Sequence, residues 1–94
     1  MTNDCADLNS EAGNAGDRHY RAMGTWLRSG MPERLRKKAH RAALKYRQAL
    51  KFFIDCYTRV RHSAAKKSGL GNALKLESLV AKDIEILERH EPMQ

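Results

Sequence analysis

From Leu35 onward, apolar or small residues recur alternately four and three apart: Leu35, Ala39, Ala42, Tyr46, Ala49, Phe53, Cys56, Val60 and Ser63. A period of 3.5 sustained over about four heptads puts these side chains on one stripe of an α-helix and would scatter them over both faces of a strand. Ala43, Leu50, Tyr57 and Ala64 lie one place beyond alternate seam positions and widen the stripe. That width suits a helix with two neighbours rather than one. Pro32, with its fixed φ and missing N–H, fits the first turn, so a helix is expected over 32–67.

Two further helices flank it. Ala73, Leu76, Val80, Ile84 and Leu87 form a stripe in a helix expected over 72–91, ended by Pro92. The stretch Ser68-Gly69-Leu70-Gly71-Asn72 reads as a stop and restart, with Gly69 as a left-handed C-terminal cap and Asn72 as an N-cap. So short a connection makes the two helices antiparallel neighbours. Upstream, Tyr20, Met23 and Leu27, with Trp26 beside them, mark a shorter helix over 17–29. Gly30 suits its left-handed terminal position, and Gly24 in its interior would let another helix approach closely. Residues 1–16 are mostly Asn, Asp, Ser, Gly and Ala, and bury too little apolar area to offset their ordering entropy. The expectation is therefore a disordered or loosely docked leader at 1–16 and a helical domain at 17–94. The fold class is all-α, a small bundle built on a long antiparallel helical hairpin. At 94 residues the core is thin. The broad seam can close within one chain or pair two hairpins as a homodimeric four-helix bundle.

The charge is as uneven as the seam is regular. Residues 32–67 hold twelve Lys or Arg against two acids, Glu33 and Asp55, an excess larger than the +7 of the whole chain. The last helix inverts this with Glu77, Asp83, Glu85, Glu88 and Glu91, so acidic helix against basic helix favours the hairpin pairing. A local basic excess points to an acidic partner. Lys and Arg repeating at helical spacing on a rod can neutralise successive phosphates. The candidate contact residues are Arg36, Lys37, Arg41, Lys45, Arg47, Lys51, Arg59 and Arg61. Phe52 and Ile54 fall outside the seam, so they either pack under the first helix against Trp26 and Leu27 or form an apolar interface.

Chemistry is sparsely represented. The four histidines are scattered with no two at i, i+4, and there is no C-x-x-C, so no metal site is expected. G-L-G at 69–71 lacks the Lys-Ser/Thr of a phosphate loop, and no cofactor is expected. Arg34 and His40 stand at the R-x5-H spacing of certain helical nucleotide-binding ribonucleases, a match expected by chance in so Arg-rich a segment. No acid, base and nucleophile constellation marks an enzyme. Two cysteines, one in the leader and one on the seam, read as unpaired thiols in a reducing compartment, and a cytoplasmic location follows. No apolar run is long enough to span a membrane. The chain reads as a non-enzymatic basic helical module that contacts RNA or DNA, or a ribonucleoprotein, through 32–67. The alternative is an adaptor, chaperone or inhibitor that presents the same helix to an acidic protein.

Overall fold

The computed structural model describes residues 4–59 and 64–90, with side chains from 5–59 and 70–90. Three helices, α1 (Asp4–Arg28), α2 (Glu33–Arg59) and α3 (Ala64–Arg89), form an elongated all-α bundle with extents of 49 × 19 × 19 Å. α2 is central: its backbone lies against both α1 and α3. The wide seam explains this. Ala39, Ala43, Tyr46, Leu50 and Phe53 are buried on α2, and Leu35, Ala49, Cys56 and Tyr57 pack around them. Val60 and Ser63 lie outside the described residues, and the helix expected over 32–67 does not hold to its end, because residues 64–67 belong to α3. From α3 come Ala73, Val80, Ile84 and Leu87, four of them buried at the spacing read from the sequence. These residues of α2 and α3 form one core cluster with those of α1.

The turn between α1 and α2 is a Schellman motif. Gly30 takes φ +82° and Met31 φ +62°. The Met31 N–H donates to the Trp26 carbonyl at 2.9 Å and the Gly30 N–H to the Leu27 carbonyl at 3.4 Å, satisfying two terminal carbonyls of α1. α2 then starts with the Arg36 N–H donating to the Pro32 carbonyl at 2.9 Å.

The structure departs from the sequence reading in three places. First, residues 4–16 are not a leader but the opening turns of α1, with Cys5, Ala12 and Ala15 in the core and Leu8 against it. The buried stripe of α1 runs Cys5, Leu8, Ala12, Ala15, His19, Ala22 and Trp26. Its members are mostly small or polar, so hydropathy alone does not mark it. Tyr20 and Leu27, the residues that suggested a stripe, are exposed. Gly16 is the point of close approach: a Cβ there would come within 3.0 Å of the Tyr46 ring. Gly24 meets only the Arg28 side chain of its own helix.

Second, α3 begins at Ala64 and runs through Gly69, Gly71 and Asn72 without the expected break. Each helical glycine costs about 1 kcal/mol relative to Ala. The buried face that follows, from Ala73 to Leu87, offsets that cost.

Third, Cys5 and Cys56 form a disulfide, with Cα atoms 5.8 Å apart and a sequence separation of 51. The antiparallel pairing brings the first turn of α1 to the last turns of α2. The reading of two free thiols is therefore wrong, and the argument for a reducing compartment loses its premise.

Candidate anion-binding groove

α1 and α2 diverge enough to leave a groove of about 550 Å³ between them. Its floor is small and apolar: Ala15 and Ala22 from α1, Leu35 and Ala42 from α2. The short alanines keep the helices from filling the space with side chains. Its walls are cationic: Arg18 and Arg21 on one side, Lys38, Arg41 and Lys45 on the other, and Thr25 is the single hydroxyl. No carboxylate lines it. Among the described residues none of these five cations is held in an ion pair.

Three acids of α3 are engaged away from the groove, one with α1 and two with α2. Asp83 Oδ2 lies 2.8 Å from His19 Nε2, Glu77 Oε1 accepts from Arg47 Nε at 2.8 Å, and Glu88 Oε2 lies 3.0 Å from His40 Nε2. The acidic α3 thus faces the basic α2 as its composition implied, and charge segregates across the bundle. Each partly exposed pair adds at most about 1 kcal/mol. The more important effect is on the surface: α3 neutralises one flank of α2 and leaves the groove flank positive.

This geometry sorts the eight basic residues singled out from sequence. Arg41 and Lys45 line the groove. Lys37 and Lys51 are exposed but outside it, Lys51 beside a smaller cleft shared by α2 and α3. Arg47 is paired with Glu77, and Arg59 with Asp55 one turn away. Arg61 lies outside the described residues. Arg36 is not a surface residue at all: it is 5 % exposed. Its Nε and Nη2 donate to the two Glu33 carboxylate oxygens at 2.5 and 2.9 Å, and its Nη1 donates to the Leu87 carbonyl at 3.1 Å. That carbonyl belongs to the last turn of α3, so Arg36 donates to a helix C-terminus and sets its positive charge at the negative end of the helix dipole. The Arg36 guanidinium, through its hydrogen bonds, holds the Glu33 carboxyl below the usual carboxylate range. Arg36 was read from sequence as a partner-binding cation, and sequence position alone does not show that its head reaches across to α3. Arg36→Ala should cost about 2–3 kcal/mol, the value of hydrogen bonds made by a charged group. Urea unfolding reads that loss, and anion affinity should stay unchanged.

The groove also contains residues that sequence reasoning passed over. Arg18 and Arg21 come from α1, and Lys38 from the α2 positions facing it. Arg18 and Arg21 stand at i, i+3 inside the first helix expected from sequence, but only its packing against α2 sets them opposite other cations. Phe52 and Ile54 separate. Phe52 is 53 % exposed. Ile54 packs on the core from the α3 side, sharing the smaller cleft with Leu74. Neither sits under Trp26, which is fully buried with its ring edge-on to His90 at 5.4 Å, nor under the exposed Leu27.

Two buried polar groups remain. His19 is 0 % exposed and sits between the Tyr20 and Tyr46 rings, at 5.0 and 5.7 Å. Burial, reinforced by Tyr20, pushes the Tyr46 phenol up to about 12. This aromatic and imidazole cluster packs α1, α2 and α3 together rather than lining a cavity. His40, of the R-x5-H spacing, is engaged with Glu88 while Arg34 is exposed. Among the described residues no three His, Cys, Asp or Glu side chains converge as metal ligands, and no helix is long and apolar enough to cross a membrane. No protein-family model matches this chain, and neither a curated protein nor a solved structure is similar to it.

Proposed function

We propose that this chain is a non-enzymatic binding module that holds the phosphate backbone of a nucleic acid along the α1–α2 groove. The observation that carries the reading is the groove itself: five cations on two helices, no acid, and no internal ion pairs to compete. A cation already paired with a fixed carboxylate gains little from a phosphate, whereas each of these five can neutralise one and release the counterion condensed on it. Lys37 and Lys51 on the neighbouring surface extend the field beyond the groove. The floor offers alanine methyls and one threonine, so the contacts are to the backbone and carry little base information.

Five phosphate contacts on a single strand give a log–log salt slope of about −3.5. The double variant Arg41→Glu, Lys45→Glu removes two of them, which weakens binding near 0.1 M salt by roughly 25-fold or more. Fluorescence anisotropy with a labelled oligouridine measures both. Salt-independent binding, or unchanged affinity in the double variant, would refute the groove as the contact. Arg47→Glu, on the flank already paired to Glu77, should change affinity much less.

A second reading is favoured by the apolar floor: an acidic protein surface seated in the same groove, steered by the same cations. Copurification that survives nuclease treatment would select it over nucleic acid. The disulfide, in turn, supports residence in an oxidising environment rather than in the reducing cytoplasm.

A further inference from the structure

We propose that the Cys5–Cys56 disulfide is a redox latch that keeps the basic groove assembled. The inference rests on the groove being the binding site, and it adds that binding is set by the oxidation state of this one bond. Three observations converge on it.

The first is where the bond lies. It joins the first turn of α1 to the end of α2, and the α1 side of the groove begins ten residues further on, at Ala15 and Arg18. Among the described residues, the chain between makes no ion pair. Its core contacts are Leu8, Ala12, Ala15 and the bare Gly16 against Tyr46.

The second is local sequence. Asn9, Ser10, Gly13, Asn14 and Gly16 all favour the coil over the helix, so the segment is helical because it is held, not because it prefers to be. Taken by its composition, the same segment reads as a leader too polar to order itself. That reading and the docked helix are reconciled if the disulfide supplies the missing constraint. Residues 17–28 differ: they are anchored by His19 and the fully buried Trp26.

The third is access. Cys5 is buried while Cys56 is half-buried, so Cys56 is the more open end of the bond. A thiolate of a dithiol reductant attacks Cys56 Sγ, the S–S bond breaks, and Cys5 leaves as a thiolate. The second thiolate of the reductant then displaces Cys56 from the mixed disulfide. The reductant is oxidised to its own disulfide, two electrons pass to the cystine, and the two protons of the reductant end on Cys5 and Cys56. With the bond open, residues 4–16 fray, Ala15 leaves the floor, and Arg18, now at the frayed start of the shortened helix, loses the turn before it that helps hold it at the groove. The half of the groove around Ala22, Thr25 and Leu35 remains.

The test compares the oxidised protein, the protein reduced with dithiothreitol, and the Cys5→Ser, Cys56→Ser variant. Amide hydrogen exchange is followed along the chain, and oligouridine affinity is measured on the same samples. The expected result is exchange at least about tenfold faster over residues 6–16 in the reduced and variant proteins, with the buried face of α2 still protected. Affinity should fall about fivefold near 0.1 M salt, the counterion-release value of one phosphate contact. Equal exchange in all three forms overturns the latch, as does faster exchange with unchanged affinity. So does collapse of protection throughout α2 and α3, which would make the bond a general staple. If the oxidised protein itself binds no oligouridine, it is the reading of the groove that fails.

Discussion

Replacing Trp26 with alanine is expected to be among the most damaging single substitutions in this chain. The indole is the largest fully buried side chain, at 0 % exposure, and it closes the end of the bundle where α1 turns into α2 and α3 finishes against His90. Deleting a buried aromatic costs about 3–5 kcal/mol, part lost transfer energy and part residual cavity. One feature reduces the figure here: the Trp26 indole N–H has no hydrogen-bond partner among the described residues. Alanine removes that unpaired donor along with the ring, so about 3 kcal/mol is the expected net loss. Trp26→Phe separates the two contributions. It keeps most of the apolar area and drops the N–H, so it should lie within about 1 kcal/mol of the parent protein. Urea titrations of the three proteins measure the differences. If Trp26→Phe were as damaging as Trp26→Ala, the indole N–H would have to be making a bond that the packing does not show.

Opening the disulfide should cost a similar amount by a different route. Crosslinking residues 51 apart removes loop-closure entropy from the unfolded chain worth about 4 kcal/mol. Thermal or urea unfolding with and without reductant measures it, and the Cys5→Ser, Cys56→Ser variant should match the reduced protein. A second signature separates the unfolded-state effect from local release. If residues 4–16 are already frayed in the reduced native state, unfolding exposes less new surface, and the urea slope falls together with the midpoint. An unchanged slope with a lower midpoint would place the whole effect in the unfolded chain. Cys5→Ala alone should be as destabilising as reduction and would leave Cys56 as a thiol.

Much of the bundle was legible before any coordinates. The 3.5-residue seam of α2 is seen as buried Ala39, Tyr46 and Phe53, with Ala43 and Leu50 on the widened side. The stripe of α3 was legible for the same reason, since aliphatic side chains at helical spacing have no other economical place to go. Gly30 announced the end of α1 because a left-handed residue without Cβ strain is needed there. The first half of α1 was not legible. Its buried positions are Cys5, Ala12 and Ala15, too small to register as a stripe, and its hold depends on a covalent bond between residues far apart in sequence.

The candidate site divides in the same way. That the chain is strongly basic, and basic in one segment, is a property of sequence alone. Which cations are available is decided by tertiary structure, because availability depends on what each side chain meets across the bundle. Arg36 meets the Leu87 carbonyl and Glu33, and Arg47 meets Glu77, so both turn inward. Arg41 and Lys45 share the groove lining with Arg18 and Arg21 of α1, which add to their field instead of cancelling it. Local spacing determined three helices and an uneven charge. The packing of an acidic helix on one flank of α2, and of a helix with basic Arg18 and Arg21 on the other, turned that unevenness into a groove of one sign.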